Sequence, residues 1–302
     1  MKLMVVGSES QVGHELVGLL ESSETEFVAF DSDDQLFIDH RDIMQLLEEH
    51  APDFVVNTTL YPFVDRAEAE VERCRLKNLE IPRALAKACQ QLDIPMLHLT
   101  SPYVFDGDKV GPYTEKDAPN PVNLYGEIHQ ASEDVVASTL EKHVIIRLGL
   151  VFSAGEDNFV GRLLAHGGQD ERMEVIGQQL ACPTSAVTAA QVVLAICKQL
   201  SCNINPWGVY HYSDVEAVTR REFLEAVVQE AERHPELQAR HVDQVSSSQH
   251  KGSAKRPMNA VLNCQKLLYT FGIKQKSWRV ELSKVVAKLA EARFLPDSEL
   301  KK

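Results

Sequence analysis

The chain reads as an α/β protein on three observations. Short apolar runs alternate with helical stretches up to about residue 150, the first run, Leu3-Met4-Val5-Val6, passes directly into a glycine turn, and the second run ends in an acid, Asp31. Alternation of this kind builds a parallel sheet covered on both faces, because each crossover between parallel strands carries a helix. A glycine turn after the first strand and an acid after the second mark the dinucleotide-binding variety of that sheet. The architecture expected is a Rossmann-type parallel sheet flanked by helices, with a smaller C-terminal substrate-binding lobe. Residues 1–150 form the main dinucleotide-binding region, and residues 151–302 complete the sheet and form the lobe.

Each element has a local signature. Leu3 to Val6 is the first strand, and a helix from near Gln11 sets Val12, Leu16, Leu19 and Leu20 at helical spacing. Phe27 to Phe30 is the second strand. Asp42 is expected to cap the helix carrying Ile43, Leu46 and Leu47, and Pro52-Asp53 leads into the strand Phe54-Val55-Val56. A helix over Cys74 to Leu92 precedes the strand Met96 to Leu99, and a helix from Tyr125 to Leu140 precedes Val144-Ile145-Ile146. Beyond residue 150 the alternation loosens. Met173 to Gly177 and Gly208 to Tyr212 read as strands, Ala186 to Leu200 as an apolar helix, and Arg220 to Arg233 as an amphipathic helix with Phe223, Val227 and Val228 inward. The Ser-rich, basic stretch Val245 to Arg256 reads as a loop, Val280 to Ala290 as the last helix and Pro296 to Lys301 as a polar tail.

Bulk properties narrow the function classes. A chain of 302 residues with 44% hydrophobic and 25% charged residues buries a sizeable core and is not mainly disordered. Its formal charge of −13 repels polyanions at long range, so neither nucleic acid nor an anionic membrane is an expected partner. The six cysteines form no Cys-x-x-Cys pair, which reads as reduced thiols, and no apolar stretch reaches membrane-spanning length. With no export signal, cytoplasmic residence is expected. Histidines 98, 129, 143, 166, 211, 234, 241 and 250 make no ligand spacing in the sequence, so no metal site is expected.

The candidate cofactor residues follow from the turn. Gly7 makes the tight turn, Gly13 allows close approach of helix to sheet, and the amides around Ser10, Gln11 and Val12 meet a pyrophosphate. Ser10 stands where a middle glycine is usual. Asp31 suits the hydroxyls of an adenosine ribose and favours NAD over NADP, with Asp33 and Asp34 adding to the same acidity and Arg41 able to offset it. Asp39 and Tyr61 are further cofactor candidates, as are Asn57, Thr58 and Thr59 at the carboxyl end of the third strand, although the last three also suit local turn amides.

Ordered matches then run almost end to end. They are Gly7 to Gly13; Pro52 to Thr59 with Val64-Asp65-Arg66-Ala67-Glu68; Thr100-Ser101-Pro102-Tyr103-Val104-Phe105-Asp106-Gly107; and Pro112-Tyr113 through Tyr125. Arg147, Asn158-Phe159-Val160, Pro183-Thr184, Gly208 to His211 and Lys255-Arg256-Pro257 continue them. On these the chain resembles the dTDP-4-dehydrorhamnose reductase branch of the extended short-chain dehydrogenases, which includes the beta regulatory subunit of methionine adenosyltransferase. The resemblance implies NAD or NADP as cofactor and a nucleotide-linked 4-keto-6-deoxyhexose as substrate. It assigns proton donation to Tyr125, polarisation of the carbonyl to Ser101, a nicotinamide-side role to Thr100, and contact with the nicotinamide ribose to the residue at 129. A homodimer or a regulated protein partner is also implied.

Four positions depart from the family. His129 replaces a lysine whose fixed charge acidifies the tyrosine, and a neutral imidazole supplies little of that field. Pro102 replaces an acid, Leu150 replaces a substrate-contacting tryptophan, and Gly177 to Thr184 relaxes the Asp-Gln-x-Gly-x-Pro-Thr pattern. Two functions are therefore expected to compete. One is NAD(P)H-dependent reduction of a nucleotide-linked sugar using Ser101, Tyr125 and His129; the other is a catalytically impaired dinucleotide-binding regulatory or scaffold protein.

Overall fold

The computed structural model describes residues 1–32, 37, 39–155, 158–164, 173–202, 204, 206–237, 242–245, 252 and 254–294. Asp33, Asp34, His166, His241, His250, most of the Ser-rich stretch and the polar tail lie outside the described residues. In chain order the first half contains β1 (Lys2–Val6), α1 (Gln11–Glu21), β2 (Glu26–Phe30), α2 (His40–His50), β3 (Phe54–Asn57), α3 (Val64–Ala67), α4 (Val71–Arg75), a π turn (Leu76–Glu80), α5 (Ile81–Gln91), β4 (Met96–Thr100), α6 (Leu124–Thr139) and β5 (His143–Leu148). The second half contains β6 (Leu150–Phe152), α7 (Phe159–Leu164), β7 (Met173–Ile176), β8 (Leu180–Ala181), β9 (Pro183–Ser185), α8 (Ala186–Leu200), β10 (Gly208–Tyr212), β11 (Val218–Thr219), α9 (Arg220–Ala231), β12 (Val242–Val245), α10 (Gln265–Phe271) and α11 (Trp278–Phe294).

Among the described residues, β2-β1-β3-β4-β5-β10 form one parallel sheet in that order. The chain leaves β1 for β2 on one side and returns to β3 on the other, so a switch point opens between the carboxyl ends of β1 and β3. All of Leu3 to Val6 are buried because alternate side chains enter two different cores. Leu3 and Val5 pack with Leu16 of α1 and Val193 of α8, whereas Met4 and Val6 pack with Leu47 of α2 and Leu85 of α5. β10 returns late in sequence to pair with β5, completing the sheet.

A second core holds the lobe. Phe223 and Val227 of α9, Leu163 of α7 and Trp278, Leu282 and Val286 of α11 meet there, and the short pairs β7–β12 and β8–β11 edge it. The start of α9 is fixed by a reciprocal cap between Thr219 and Glu222, which satisfies two otherwise unpaired amides.

Two local expectations need correction. The cap of α2 is Asp39 and not Asp42: Asp39 is extended and its carboxylate accepts the Arg41 amide at 2.9 Å, while Asp42 sits inside the first turn. The helix expected over Cys74 to Leu92 is interrupted by the π turn at Leu76–Glu80. Pro82 has no amide to donate to the carbonyl four residues back, and the widened turn accommodates that loss.

Candidate functional site

The site begins with bare backbone at the switch point. Gly7 has φ +91, and a Cβ there would lie 2.5 Å from the Thr59 amide nitrogen; a Cβ at Gly13 would lie 2.1 Å from the Gly7 carbonyl. Any side chain at either position would force the turn away from β3. Ser10, in place of the middle glycine, turns its hydroxyl inward as the cap of α1, accepting from the Gly13 amide at 3.0 Å. The serine is thus a helix cap, and the first-turn amides of α1 beyond it lack intrahelical acceptors. Ser10, Gln11 and Val12 line a cavity together with Thr58, Thr59, Thr100, Ser101 and Tyr125.

The third-strand polar residues serve the backbone first. Thr58 donates its hydroxyl to the Gly7 carbonyl at 2.8 Å, Thr59 donates to the Lys77 carbonyl at 3.1 Å, and the Asn57 amide stands 3.0 Å from His98 Nδ1. Asn57 lies behind the cavity wall, whereas Thr58 and Thr59 belong to it. Tyr61 also lies outside the lining; Asn78 holds its backbone on both sides, and burial pushes its phenol up to about 12. Asp39 is occupied with Arg41, its carboxylate held below the ordinary range by the bonds from that residue. Arg41 therefore offsets Asp39, while Asp33 and Asp34, whose acidity it was expected to offset, lie outside the described residues.

The sequence offered no warning about Glu9. Its carboxylate accepts the Ser32 amide at 3.2 Å and the Ser32 hydroxyl, with Lys77 Nζ at 3.4 Å. An acid of the phosphate turn is thereby anchored beside Asp31, where the adenosine ribose of a dinucleotide is expected.

Across the cavity, Ser101 caps a short 3₁₀ turn (Pro102–Val104) and accepts the Tyr103 amide at 3.3 Å, leaving its own proton free to donate. Tyr125 is the second residue of α6, whose cap is Asn123. The two meet because Gly126 lets α6 touch that turn: a Cβ there would lie 2.2 Å from the Tyr103 carbonyl. The Tyr103 and Tyr125 rings consequently pack edge to face at 5.7 Å. Burial pushes the Tyr125 phenol well above its ordinary value, and the Ser101 hydroxyl and the Arg256 charge only partly oppose this.

His129 lies one helical turn beyond, 4.5 Å from the Tyr125 ring centre. It is 1% exposed, neither ring nitrogen has a partner among the described residues, and burial lowers its pKa to about 3, so the imidazole is neutral at physiological pH. It packs beneath Tyr125 and is not on the cavity wall. Thr100 is held from behind, donating to Glu133 at 2.7 Å, and Glu133 in turn receives Nε and Nη2 of Arg147 at 2.9 and 2.5 Å.

The lobe closes the far side. Leu150, Phe159, Arg162, Gln179 and Arg220 line the same cavity. Gln179 donates to the Tyr103 hydroxyl at 3.1 Å and to the Pro257 carbonyl at 2.9 Å, so the relaxed Gly177–Thr184 segment still reaches the centre. Arg256 reaches Asp65 at 2.6 Å, and Asn123 donates to the Lys255 carbonyl, tying this strap to the cap of α6. Among the described residues no group of three or more His, Cys, Asp or Glu is arranged to hold a metal ion, and no helix is long and apolar enough to cross a membrane.

A glycine turn at the switch point of a parallel sheet, a serine–tyrosine pair opposite it and a lobe over both define a two-lobed Rossmann-type protein. The chain belongs to the RmlD substrate binding domain family, which it matches over residues 1–291. It is 32% identical to the dTDP-4-dehydrorhamnose reductase of Sinorhizobium fredii over 244 residues, covering 80% of this chain and 81% of that protein. Among solved structures it is similar to the dTDP-4-dehydrorhamnose reductase of Clostridium acetobutylicum, with TM-score 0.85 and 24% identity over 96% of this chain and 99% of that one. It is also similar to the Bacillus anthracis dTDP-4-dehydrorhamnose reductase in complex with NADP, with TM-score 0.82 and 23% identity over 95% and 99%.

Proposed function

We propose that the protein is an NAD(P)H-dependent reductase of a nucleotide-linked 4-keto-6-deoxy sugar, as the relatives' names suggest, working with a weakened proton donor. The observation that carries this reading is that Ser101 and Tyr125 share one cavity with the first turn of α1. The chain's own atoms fit a dinucleotide. Gly7 and Gly13 leave bare backbone where a Cβ would strike the chain, and Ser10 is folded away as a cap. Ser10, Gln11 and Val12 would hold the pyrophosphate, and Asp31 the adenosine ribose. Bound in reduced form, the nicotinamide supplies a hydride to the sugar carbonyl.

The residues around the carbonyl do the rest. Ser101 donates a hydrogen bond to the carbonyl oxygen, and Tyr125 gives its proton to the alkoxide as it forms, leaving a phenolate. That phenolate is poorly supported, since the neighbouring imidazole is neutral and burial disfavours the charged form. Turnover is accordingly slow in comparison with an enzyme holding a cation at position 129. The decisive measurement is loss of reduced-nicotinamide absorbance in a single turnover with a nucleotide-linked 4-keto-6-deoxyhexose. Wild type consumes the cofactor, and Tyr125→Phe slows it about 10²-fold or more; equal rates would exclude Tyr125 as donor.

One observation favours a second reading, a dinucleotide-binding regulatory protein: His129 is buried without any hydrogen-bond partner among the described residues. In that case the protein binds NADH, forms a stable complex with another protein, and gives no turnover with any nucleotide-linked keto sugar. A native mass measurement beside the turnover assay separates the two and also reads out a homodimer.

A further inference from the structure

A side-chain hydrogen bond spanning 142 residues of sequence joins the first turn of α1 to the lobe: the Ser153 hydroxyl donates to Gln11 Oε1 at 3.0 Å. Backbone groups set its polarity. Asn158 Oδ1 accepts the Val160 and Gly161 amides at 3.0 and 3.3 Å, so the Asn158 amide nitrogen is the end that faces back. It donates to the Ser153 carbonyl at 3.0 Å and to Ser153 Oγ at 3.1 Å. Ser153 Oγ also accepts the Gly155 amide at 3.4 Å, which leaves its single proton for Gln11. Gln11 therefore turns its oxygen to Ser153, and its Nε2 protons meet no acceptor among the described residues.

Both ends of this chain of bonds face one cavity. Gln11 lines it beside Ser10 and Val12 of the glycine turn, and Asn158 and Phe159 line it from the lobe, while Ser153 between them is buried. The lobe end is rooted in the second core. Phe152 and Phe159 bracket the segment and both pack on Phe223 of α9, with ring centres 5.5 and 5.8 Å apart. A close-packed segment with its polar groups bonded moves as a unit, so what holds Ser153 also holds Phe159.

We propose that Gln11, Ser153 and Asn158 couple the dinucleotide to the lobe. The Gln11 side-chain amide donates to a pyrophosphate oxygen, the bond from Ser153 holds that amide in place, and an occupied phosphate turn in return steadies Asn158 and Phe159 across the cleft. This rests on the cleft being the dinucleotide site of the proposed reductase. Coupling between sites is reciprocal, so a second ligand on the lobe side binds more tightly once the dinucleotide is in place. Its size is bounded by the neutral hydrogen bond through which it runs, about 3-fold to 10-fold.

The test follows amide hydrogen exchange over Phe159–Leu164 in wild type, Ser153→Ala and Gln11→Met, each with and without saturating NADH. Ser153→Ala deletes the middle of the chain of bonds and Gln11→Met its cofactor end; circular dichroism checks folding, and either variant alone suffices. In wild type NADH slows this exchange about 3-fold to 10-fold. In both variants the exchange is indifferent to NADH although NADH still binds, and Gln11→Met weakens NADH by a similar factor in calorimetry. Ser138→Ala, at an exposed position of α6, behaves as wild type. Slowing that survives in Ser153→Ala, wild-type exchange that NADH leaves unchanged, or NADH affinity untouched by Gln11→Met overturns the coupling. A titration of dTDP with and without NADH separates this result from the reductase reading. Exchange slowed by NADH in a protein that binds no dTDP upholds the coupling and removes the nucleotide-sugar substrate. Reduction of a keto sugar by a protein whose α7 does not respond to NADH removes the coupling alone, and a folded protein with no affinity for NADH removes both.

Discussion

Replacing His129 with lysine tests the weakened proton donor most directly. The Tyr125 and His129 ring centres are 4.5 Å apart. A lysine ammonium extending from the same turn would stand on the order of 5 Å from the phenolate oxygen, which at an effective dielectric of about 20 is worth about 3 kcal/mol. Desolvation of the ammonium subtracts from this, leaving a gain of about 10-fold to 100-fold in the acidity of Tyr125. His129→Lys should therefore bring phenolate absorbance to lower pH and raise the single-turnover reduction rate by a similar factor, with circular dichroism unchanged. Two readouts matter because a rate gain alone could arise from substrate positioning. A folded His129→Lys protein with unaltered tyrosine titration would refute the assignment of the missing charge to this position.

Three further outcomes follow from individual contacts. Glu9 adds negative charge beside Asp31 through Ser32, so Glu9→Gln should improve NADPH affinity about 10-fold relative to NADH, read by nicotinamide fluorescence; an unchanged ratio would remove Glu9 from cofactor choice. Asp214 is fully buried, accepts the Ser185 amide and the Tyr212 hydroxyl at 3.0 Å each, and burial raises its pKa to about 6. Its folded value exceeds the unfolded one near 3.9, so its contribution is complete at low pH and is lost as pH rises from about 4 through 6, by about 3 kcal/mol. In denaturant titrations Asp214→Asn should match wild type near pH 4 and exceed it near pH 7; parallel curves would contradict the linkage. Gly126→Ala would drive a methyl group into the Tyr103 carbonyl and part α6 from the 3₁₀ turn, so the reduction rate should fall while NADH binding holds; equal rates would show that the contact does not set the Ser101–Tyr125 approach.

What could be read from the sequence divides by the range of the interactions involved. Strand ends, the crossover helices and the strand at Gly208 to Tyr212 were legible because apolar period and flanking turn residues are local signals, whereas the pairing of that strand with β5 is a long-range contact that no local pattern announces. The relation of Tyr125 to His129 was legible too, since residues four apart share a helix face. The cap of α2 was misplaced because Asp39 and Asp42 are equally suited by composition, and only the backbone angles at Asp39 separate them. Glu9 and Arg220 gave little signal: an acid in a phosphate turn and a cation at the start of a helix both run against local expectation, and what fixes them, Ser32 for one and Tyr103 and Phe159 for the other, is distant in sequence.

The charge state at position 129 belongs to the same class of question and has a structural answer. Tyr125, His129 and Glu133 recur at four-residue spacing along α6, which would place a carboxylate one turn from the imidazole and invite an ion pair. Glu133 is already satisfied, however, by two nitrogens of Arg147 and by the Thr100 hydroxyl, with both members of that ion pair 5% exposed. Its negative charge is cancelled by the guanidinium before it can favour an imidazolium. The other titratable neighbour, His98, is itself buried between Asn57 and Ser132 and kept neutral, and an imidazole has no anionic form in this range that could pair with an imidazolium. Desolvation is then the only large influence on His129, and it favours the uncharged ring. The same ion pair that fixes Thr100 behind Ser101 thus leaves the imidazole beneath Tyr125 uncharged, which makes the geometry around the serine–tyrosine pair and the missing charge at position 129 consequences of one arrangement.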